Sequence, residues 1–349
     1  MRKLASIRQI AEIKPHTNAD ALELAIVDGW QCVVKKGEVR PGDFVVYFEV
    51  DSVLPINPLF EFLRKSCYVK KDWLPAGEGF RLKTIKLRGE ISQGLVLPLE
   101  TVFPTATGLP VLGQDVTEIL GVVKWDPPMP AQLQGLARGV FPSFIQKTDQ
   151  ERIQNVWEEV KEKYDDVTFE VTIKLDGSSC TYYHNEGDVG VCSRNLNLKL
   201  EGNDNNSFVK FAVKNNILEA LKAVGDNIAI QGELIGPGIQ GNREKLNDID
   251  FFVFDVYLIN DQRHATPAER MFILEKIKAL TGVEFKHVPI LGETTLERFG
   301  TIEEILNYAE GRSLNNEIRE GVVFKSVVVI EGRVPSFKVI SNKFLLNEK

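Results

Sequence analysis

The run Val171-Thr-Ile-Lys-Leu-Asp-Gly-Ser-Ser179 constrains the fold more tightly than any other segment of the 349-residue chain. Val171, Thr172 and Ile173 are β-branched, and such residues favour the pleated, half-buried surface of a strand. Asp176, Gly177 and two serines follow at once, a composition that turns the chain. The pattern places Lys174 at the mouth of a strand, two residues before a carboxylate. Residues two apart on a strand share a face, so Lys174 and Asp176 point into one cleft if extended geometry continues that far. Taken alone, Lys-x-Asp-Gly is short enough to arise at many strand–turn junctions.

Four later segments carry compatible chemistry. Ser193-Arg194-Asn195 follows an alternating run, Asp188 to Cys192. Gln231-Gly-Glu233 follows Asn227-Ile-Ala-Ile230, so Glu233 is expected at a strand end. Glu320-Gly-Val-Val-Phe-Lys325 reads as a strand with charge at both ends. Ser336-Phe-Lys338-Val-Ile-Ser-Asn-Lys343 lies close to the last residue. Between them, Asp250-Phe-Phe-Val-Phe-Asp255 sets Phe252 and Phe254 on one face of a further strand. Each segment has an ordinary structural reading: solvated strand-end carboxylates, core phenylalanines, a surface ion pair for Arg194, and edge-protecting lysines at Lys338 and Lys343.

Taken together and in this order, the segments resemble the covalent nucleotidyltransferase superfamily of ATP-dependent DNA ligases, RNA ligases and mRNA capping enzymes. Lys174-Leu-Asp-Gly177 resembles the nucleophile motif, Ser193-Arg194 the arginine motif, and Gly232-Glu233 the third motif. Phe251 to Asp255 resembles the aromatic strand motif, Glu320 to Lys325 the fourth, and Lys338 with Lys343 the final lysine motif. The resemblance spans residues 145–343. It implies that Lys174 attacks the α-phosphorus of ATP and that Asp176, Glu233 and Glu320 organise Mg²⁺ or Mn²⁺, directly or through its waters. It also implies that Lys325 and Lys338 contact the AMP phosphate, and that Arg194 contacts phosphate or ribose. Phe252 is expected to stack on adenine, with Phe254 the alternative, and Glu233 to touch the ribose. Such carboxylates suit a hard, hydrated cation, and phosphoryl transfer rests mainly on positioning and electrostatics. The lysine must be deprotonated to attack, and free lysine titrates at about 10.4. Burial and nearby cations are expected to lower that value.

Net charge is −7, which excludes a globally basic nucleic-acid binder but not a local patch. Residues 64–88 hold Arg64, Lys65, Lys70, Lys71, Arg81, Lys83, Lys86 and Arg88 against Asp72 and Glu78, eight minus two, a surplus of six. Tyr68, Trp73 and Phe80 are interleaved, a mixture suited to phosphate tracking and base stacking. Cys32, Cys67, Cys180 and Cys192 form no CxxC pair, so neither a zinc site nor a disulfide framework is indicated. His16, His184, His264 and His287 show no metal spacing. No apolar run approaches the length of a membrane span, and the N-terminus lacks an apolar signal segment. A cytoplasmic monomer without membrane contact is expected.

The fold expected is α+β. Residues 1–125 read as short strands at Glu23–Val27, Gln31–Val34, Asp43–Val50, Phe80–Leu87 and Gly94–Leu97, punctuated by Asp28-Gly29 and Arg40-Pro-Gly-Asp43. They suggest a small β-barrel of the OB type, and Gln31 to Tyr47 resembles OB-type RNA-binding modules. Residues 126–140 read as a linker around Asp126-Pro-Pro-Met-Pro130. Residues 141–349 alternate strands and helices with antiparallel sheets, an ATP-grasp-like nucleotidyltransferase domain. Capping-box starts are read at Thr148–Glu151, Thr266–Glu269 and Thr301–Glu304.

The OB-like module precedes the catalytic segments, whereas in DNA ligases and capping enzymes it follows. Few residues lie beyond Lys343, so no second module is expected there. This order resembles an RNA ligase family with an N-terminal OB domain and a C-terminal ligase domain. Gln146 to Asn155 resembles the stretch before the nucleophile in RNA ligases that seal nicked duplexes, which brings Lys147 and Arg152 toward triphosphate or RNA phosphates. The implied activity joins 3′-OH and 5′-phosphate RNA ends through a lysyl-AMP and an adenylylated 5′ end. A DNA ligase, another nucleotidyltransferase and a non-catalytic RNA-binding protein remain alternatives. Two departures are visible. Ser179 stands where some relatives have asparagine, and Lys338 to Lys343 is wider than the common Lys-x-Lys.

Overall fold

The structure is a computed structural model that describes residues 3–105, 111–126 and 136–347. The chain divides into two compact units, Met1–Pro128 with Gln154–Glu158, and Met129–Ile153 with Glu159–Lys349. Residues 127–135 of the expected linker lie outside the described residues.

The first unit is built from small antiparallel sheets. Its organising strand is Phe44–Phe48, flanked by Ala5–Gln9 and Leu95–Pro98. Alternation along this strand feeds two cores. Val46 and Phe48 pack with Leu54, Phe60 and Phe80. Val45 and Tyr47 pack with Trp30, Cys32 and Val96. A strand buried on both faces reads as the continuous apolar run Phe-Val-Val-Tyr-Phe. The expected strand Phe80–Leu87 is two strands, Glu78–Arg81 and Thr84–Leu87, which belong to different sheets. Strands at Ala5–Gln9, Glu12–Pro15, Ser52–Leu54, Tyr68–Lys70 and Glu90–Gln93 have no counterpart in the sequence reading.

The second unit contains an eight-stranded and a five-stranded sheet. In the eight-stranded sheet Ser178–Asn185 lies between Asp188–Ser193 and Ile228–Ile235, and Ile228–Ile235 pairs on its other edge with Asp250–Leu258. One face of this sheet packs Tyr182, Ile230, Phe251 and Val253 against the helices Ser207–Lys214, Ile217–Val224 and Pro267–Thr281. The five-stranded sheet runs Glu151–Arg152, Ser336–Ile340, Gly321–Ser326, Phe169–Lys174, Ile290–Thr294. All its pairings are antiparallel except the first. One face is aromatic: Phe169, Phe324 and Phe337 pack together, with Phe324 and Phe337 stacked at 5.0 Å.

The capping boxes divide. Thr266 and Glu269 form a complete box with Pro267 in the first turn. Thr301 accepts from the Glu304 N–H. Thr148–Glu151 starts no helix, because Glu151–Arg152 joins the sheet beside Phe337–Lys338 and the helix begins at Ile153. Tertiary strand pairing overrides the local signal there. Among the described residues no helix is long and apolar enough to cross a membrane.

The opposite face of the five-stranded sheet is polar, and a buried ion pair holds it to the helix behind the larger sheet. Arg270, fully buried on Pro267–Thr281, donates from Nη2 to both carboxylate oxygens of Glu170, at 2.8 and 2.9 Å. Removing one partner strands the other charge in a medium that cannot solvate it. Arg270→Ala is expected to lower stability by about 3–5 kcal/mol, read as a shifted guanidinium denaturation midpoint. An unchanged midpoint would show that water reaches Glu170.

Candidate active site

Lys174 closes the strand Phe169–Lys174 and lies directly opposite Gly321 of the neighbouring strand. That register sets Glu320 beside the ammonium, with Lys174 Nζ 2.7 Å from Glu320 Oε1. Close approach is needed at Gly321, where a Cβ would meet the Val339 carbonyl oxygen at 2.1 Å. After Lys174 the strand ends, so Asp176 is placed by the turn rather than by strand alternation. Its Oδ2 lies 3.0 Å from Arg243 Nε. Gly177 then passes so near the larger sheet that a Cβ would meet the Leu234 carbonyl oxygen at 2.5 Å. Its N–H donates to Glu233 Oε1 at 3.1 Å. Glu233 does not end its strand as expected. Ile228–Ile235 runs through it, paired with Ser179 on one side and Phe252 on the other.

Three carboxylates thus surround one lysine. Burial opposes the Lys174 charge, but Glu320, Glu233 and Asp176 outweigh it and raise the pKa above the ordinary lysine value. This reverses the lowering expected from the sequence. The close neighbours are carboxylates, while Lys325 is committed to Asp255 and Lys343 to Glu310. Burial, reinforced by Glu320 and Asp176 and opposed by Lys174, pushes Glu233 up to about 8. The all-oxygen donor set fits a hard cation that keeps part of its water shell. Among the described residues no three His, Cys, Asp or Glu side chains converge as direct metal ligands. The ammonium occupies Glu320 and Arg243 occupies Asp176, so a site shared through waters fits better than a dry three-carboxylate chelate.

The other expected lysines are distributed unequally. Residues directly opposite across a ladder share a face, so Lys174, Lys325 and Lys338 lie on one face of the five-stranded sheet, with Arg152 bridged to Lys338. Lys325, however, is opposite Glu170, four residues down the strand from Lys174, and is buried. It donates to Asp255 Oδ1, and His264 Nδ1 lies 3.3 Å from the other oxygen of the same carboxylate. Burial would raise the Asp255 carboxyl, but Lys325 and His264 hold it well below the usual range. Lys343 is on the helix Asn342–Asn347, not on the strand, and pairs with Glu310 at 2.5 Å. Lys147 donates to Asn195 Oδ1 at 2.9 Å, and Arg194 pairs with Asp149 at 3.3 Å, a surface group of its own.

Phe251 is core, packed on Tyr182 at 4.8 Å. Phe252 shares the face of Glu233 and joins Phe254, Ile173 and Leu175 in one apolar cluster. A bulge next to Gln231 and Gly232 breaks the alternation, so that Asp255 lies opposite Gln231. Sequence reasoning missed Arg243, Asp255 and Arg270. Arg243 and Arg270 lie in no motif, and Asp255 was quoted in one without a role. Their partners are 67, 70 and 100 residues away, respectively, at Asp176, Lys325 and Glu170.

The sequence matches an OB-fold domain family over residues 4–99 and the RNA ligase family over residues 167–340. No curated protein sequence matches the chain. Among solved structures it is similar to Naegleria gruberi RNA ligase with PPi, at 44% identity and TM-score 0.88 over 99% of this chain and 98% of that one. A lysine-to-alanine mutant of that ligase with ATP and Mn matches at 43% identity and TM-score 0.88, covering 98% of each chain. A glutamate-to-alanine mutant with AMP and Mn matches at 43% identity and TM-score 0.89, covering 99% and 98%. The chain therefore belongs to the RNA ligase family and is an enzyme in which an OB-fold domain precedes the ligase domain.

Proposed function

We propose that this RNA ligase uses ATP and Mg²⁺ or Mn²⁺ to seal 3′-OH/5′-phosphate RNA ends, in nicked duplexes, through an AMP carried on Lys174. The observation that carries the reading is the placement of Lys174 at a strand end in contact with Glu320 and within the field of Glu233 and Asp176. The complexes of the Naegleria ligase with ATP, AMP, Mn and PPi support the same nucleotide and metal here.

In the first step the Lys174 ammonium loses a proton, for which Glu320 Oε1 is the acceptor already in contact. The amine attacks the α-phosphorus, an N–P bond forms, and the bond to pyrophosphate breaks. Asp176, Glu233 and Glu320 would hold a divalent cation, whose charge would lower the lysine pKa and offset charge on the phosphate oxygens. Phe252, beside Glu233 in the ladder, offers the face for adenine, and Glu233 reaches the ribose. Lys338 and Arg152, on the Lys174 face, serve the phosphates, with Arg194 and Lys147 toward the RNA end. Lys325 supports this arrangement from its pair with Asp255, and Lys343 stands further off. AMP then passes to the RNA 5′-phosphate, and the 3′-OH displaces it.

In the first unit, Lys65, Lys70, Lys71, Lys83, Lys86 and Arg88 are exposed, whereas Phe80 is core. Arg64 is committed to Glu61 and to the Tyr68 and Phe80 rings, and Arg81 to Asp51 and the Trp125 ring. The exposed lysines are the RNA-tracking candidates. All four cysteines are free, and burial pushes Cys32 and Cys192 up to about 12, a reduced and inert state suited to the cytoplasm. The enzyme is read as a monomer without membrane contact.

The first test is labelling with α-³²P-ATP and Mn²⁺ on a denaturing gel. Wild type is expected to carry label and Lys174→Ala none. A labelled Lys174→Ala protein would reject the nucleophile, and labelling by GTP or equal sealing of all-DNA nicks would shift the acceptor class. The labelling rate should rise with pH from below neutrality, because a raised folded pKa keeps Lys174 protonated until pH approaches that value. A profile flat from about pH 6 to 9 would mean that proton loss is not part of the slow step. Charge reversal at Lys83→Glu and Lys86→Glu is expected to impair nick sealing more than Lys174 labelling. Equal loss of both would remove these residues from the RNA surface.

A further inference from the structure

Arg243 lies in no motif, yet an unusual loop delivers its guanidinium to Asp176. Gln240, Asn242 and Lys245 all adopt left-handed backbone conformations, with φ of 44°, 48° and 52°, and Gly241 has φ 72°. Non-glycine residues persist there only where the surroundings over-determine them. The surroundings do so here. Asn242 donates to the Leu246 carbonyl at 2.8 Å and accepts from its N–H at 3.0 Å. Glu244 is buried and accepts from Ser313 Oγ and from the Asn315 N–H. Between these anchors the Arg243 guanidinium lies 4.6 Å over the Phe344 ring. Its Nε is 3.0 Å from Asp176 Oδ2, with side chains 33% and 23% exposed. The guanidinium is therefore held on a half-open carboxylate two residues from Lys174, where a cation would also draw on that carboxylate.

We infer that Arg243 is the resident counter-ion of Asp176 and competes with the divalent cation for it. This rests on the reading of Asp176 as a cation-holding carboxylate. An arginine and a divalent cation on one carboxylate repel each other, so the enzyme without nucleotide holds metal weakly. Triphosphate, which pairs well with a guanidinium, draws Arg243 off Asp176 and brings its own cation. Metal loading is thereby coupled to ATP. In this scheme Arg243 acts on the cation through Asp176 before ATP arrives and pairs with the triphosphate afterwards. Even with water-like screening, a single and a double positive charge about 6 Å apart oppose each other by about a ten-fold factor in affinity.

The test needs no catalysis. Mn²⁺ is titrated into ATP-free full-length protein and free Mn²⁺ is read by electron paramagnetic resonance. Arg243→Met is expected to bind Mn²⁺ about ten-fold more tightly than wild type, and Arg243→Lys, which keeps the charge, to stay near wild type. Arg243→Gln provides a second neutral variant should Arg243→Met fail to give the wild-type denaturation midpoint. Unchanged or weaker Mn²⁺ binding in a folded neutral variant would overturn the competition, as would equal tightening in Arg243→Lys. Failure of wild type to label with ATP would reject the ligase chemistry while leaving the Mn²⁺ comparison as a separate result.

Discussion

The contact between Lys174 and Glu320 depends on a single register, Lys174 opposite Gly321, and the rest of the site follows from it. A one-residue slip of either strand would send every side chain to the other face. On the slipped strand it would exchange Lys174 and Glu170 for Phe169, or Lys325 for Phe324, between the polar and aromatic faces. Burial of the aromatic face therefore fixes the register that sets Glu320 beside Lys174. In turn, the lysine makes a cluster of three carboxylates tolerable, and the carboxylates hold the lysine protonated. The resting site holds Lys174 protonated, and its pKa falls only when charge is redistributed among these groups.

Deeper along the same face, charge is used for architecture. Lys325 with Asp255, and Glu170 with Arg270, are buried pairs that tie the five-stranded sheet to the larger sheet and its helix. Each pair is strong only because both partners are present; either charge alone would be costly at that depth. Ion pairing of the same kind is half-exposed at the mouth and buried at the base. At the mouth the pairs stay open to solvent, and at the base they do not.

Much of this was readable from local pattern. The strands Phe169–Lys174 and Gly321–Ser326 and the Thr266 helix start were recoverable because periodicity, turn chemistry and capping agree there. The failures share one cause, non-local pairing. Thr148–Glu151 has a capping pattern, but Glu151–Arg152 is captured by a strand nearly two hundred residues later. Lys343 continues a motif by sequence but turns onto a helix after Ile340. The bulge beside Gly232 alters which side chains of Phe252–Asp255 face the cleft, and alternation alone gives no sign of it. Arg243, Asp255 and Arg270 are set by partners that no window of sequence contains.

The lysines show why motif membership and chemical role differ. At about 3.3 Å per residue and about 4.8 Å per strand, Lys325 lies about 14 Å from Lys174, four rows off on the adjacent strand, whereas Lys338 lies about 12 Å away, two rows off and two strands across. Lys325 is also buried and committed to Asp255, while Lys338 stays partly exposed on the Lys174 face. The two lysines are thus at similar distances from Lys174, and burial rather than distance separates them. The same positive charge is closed into a buried ion pair in one row and stays partly open in the other. What separates the two positions is depth on a single sheet face, set by the strand register and not by the residue type.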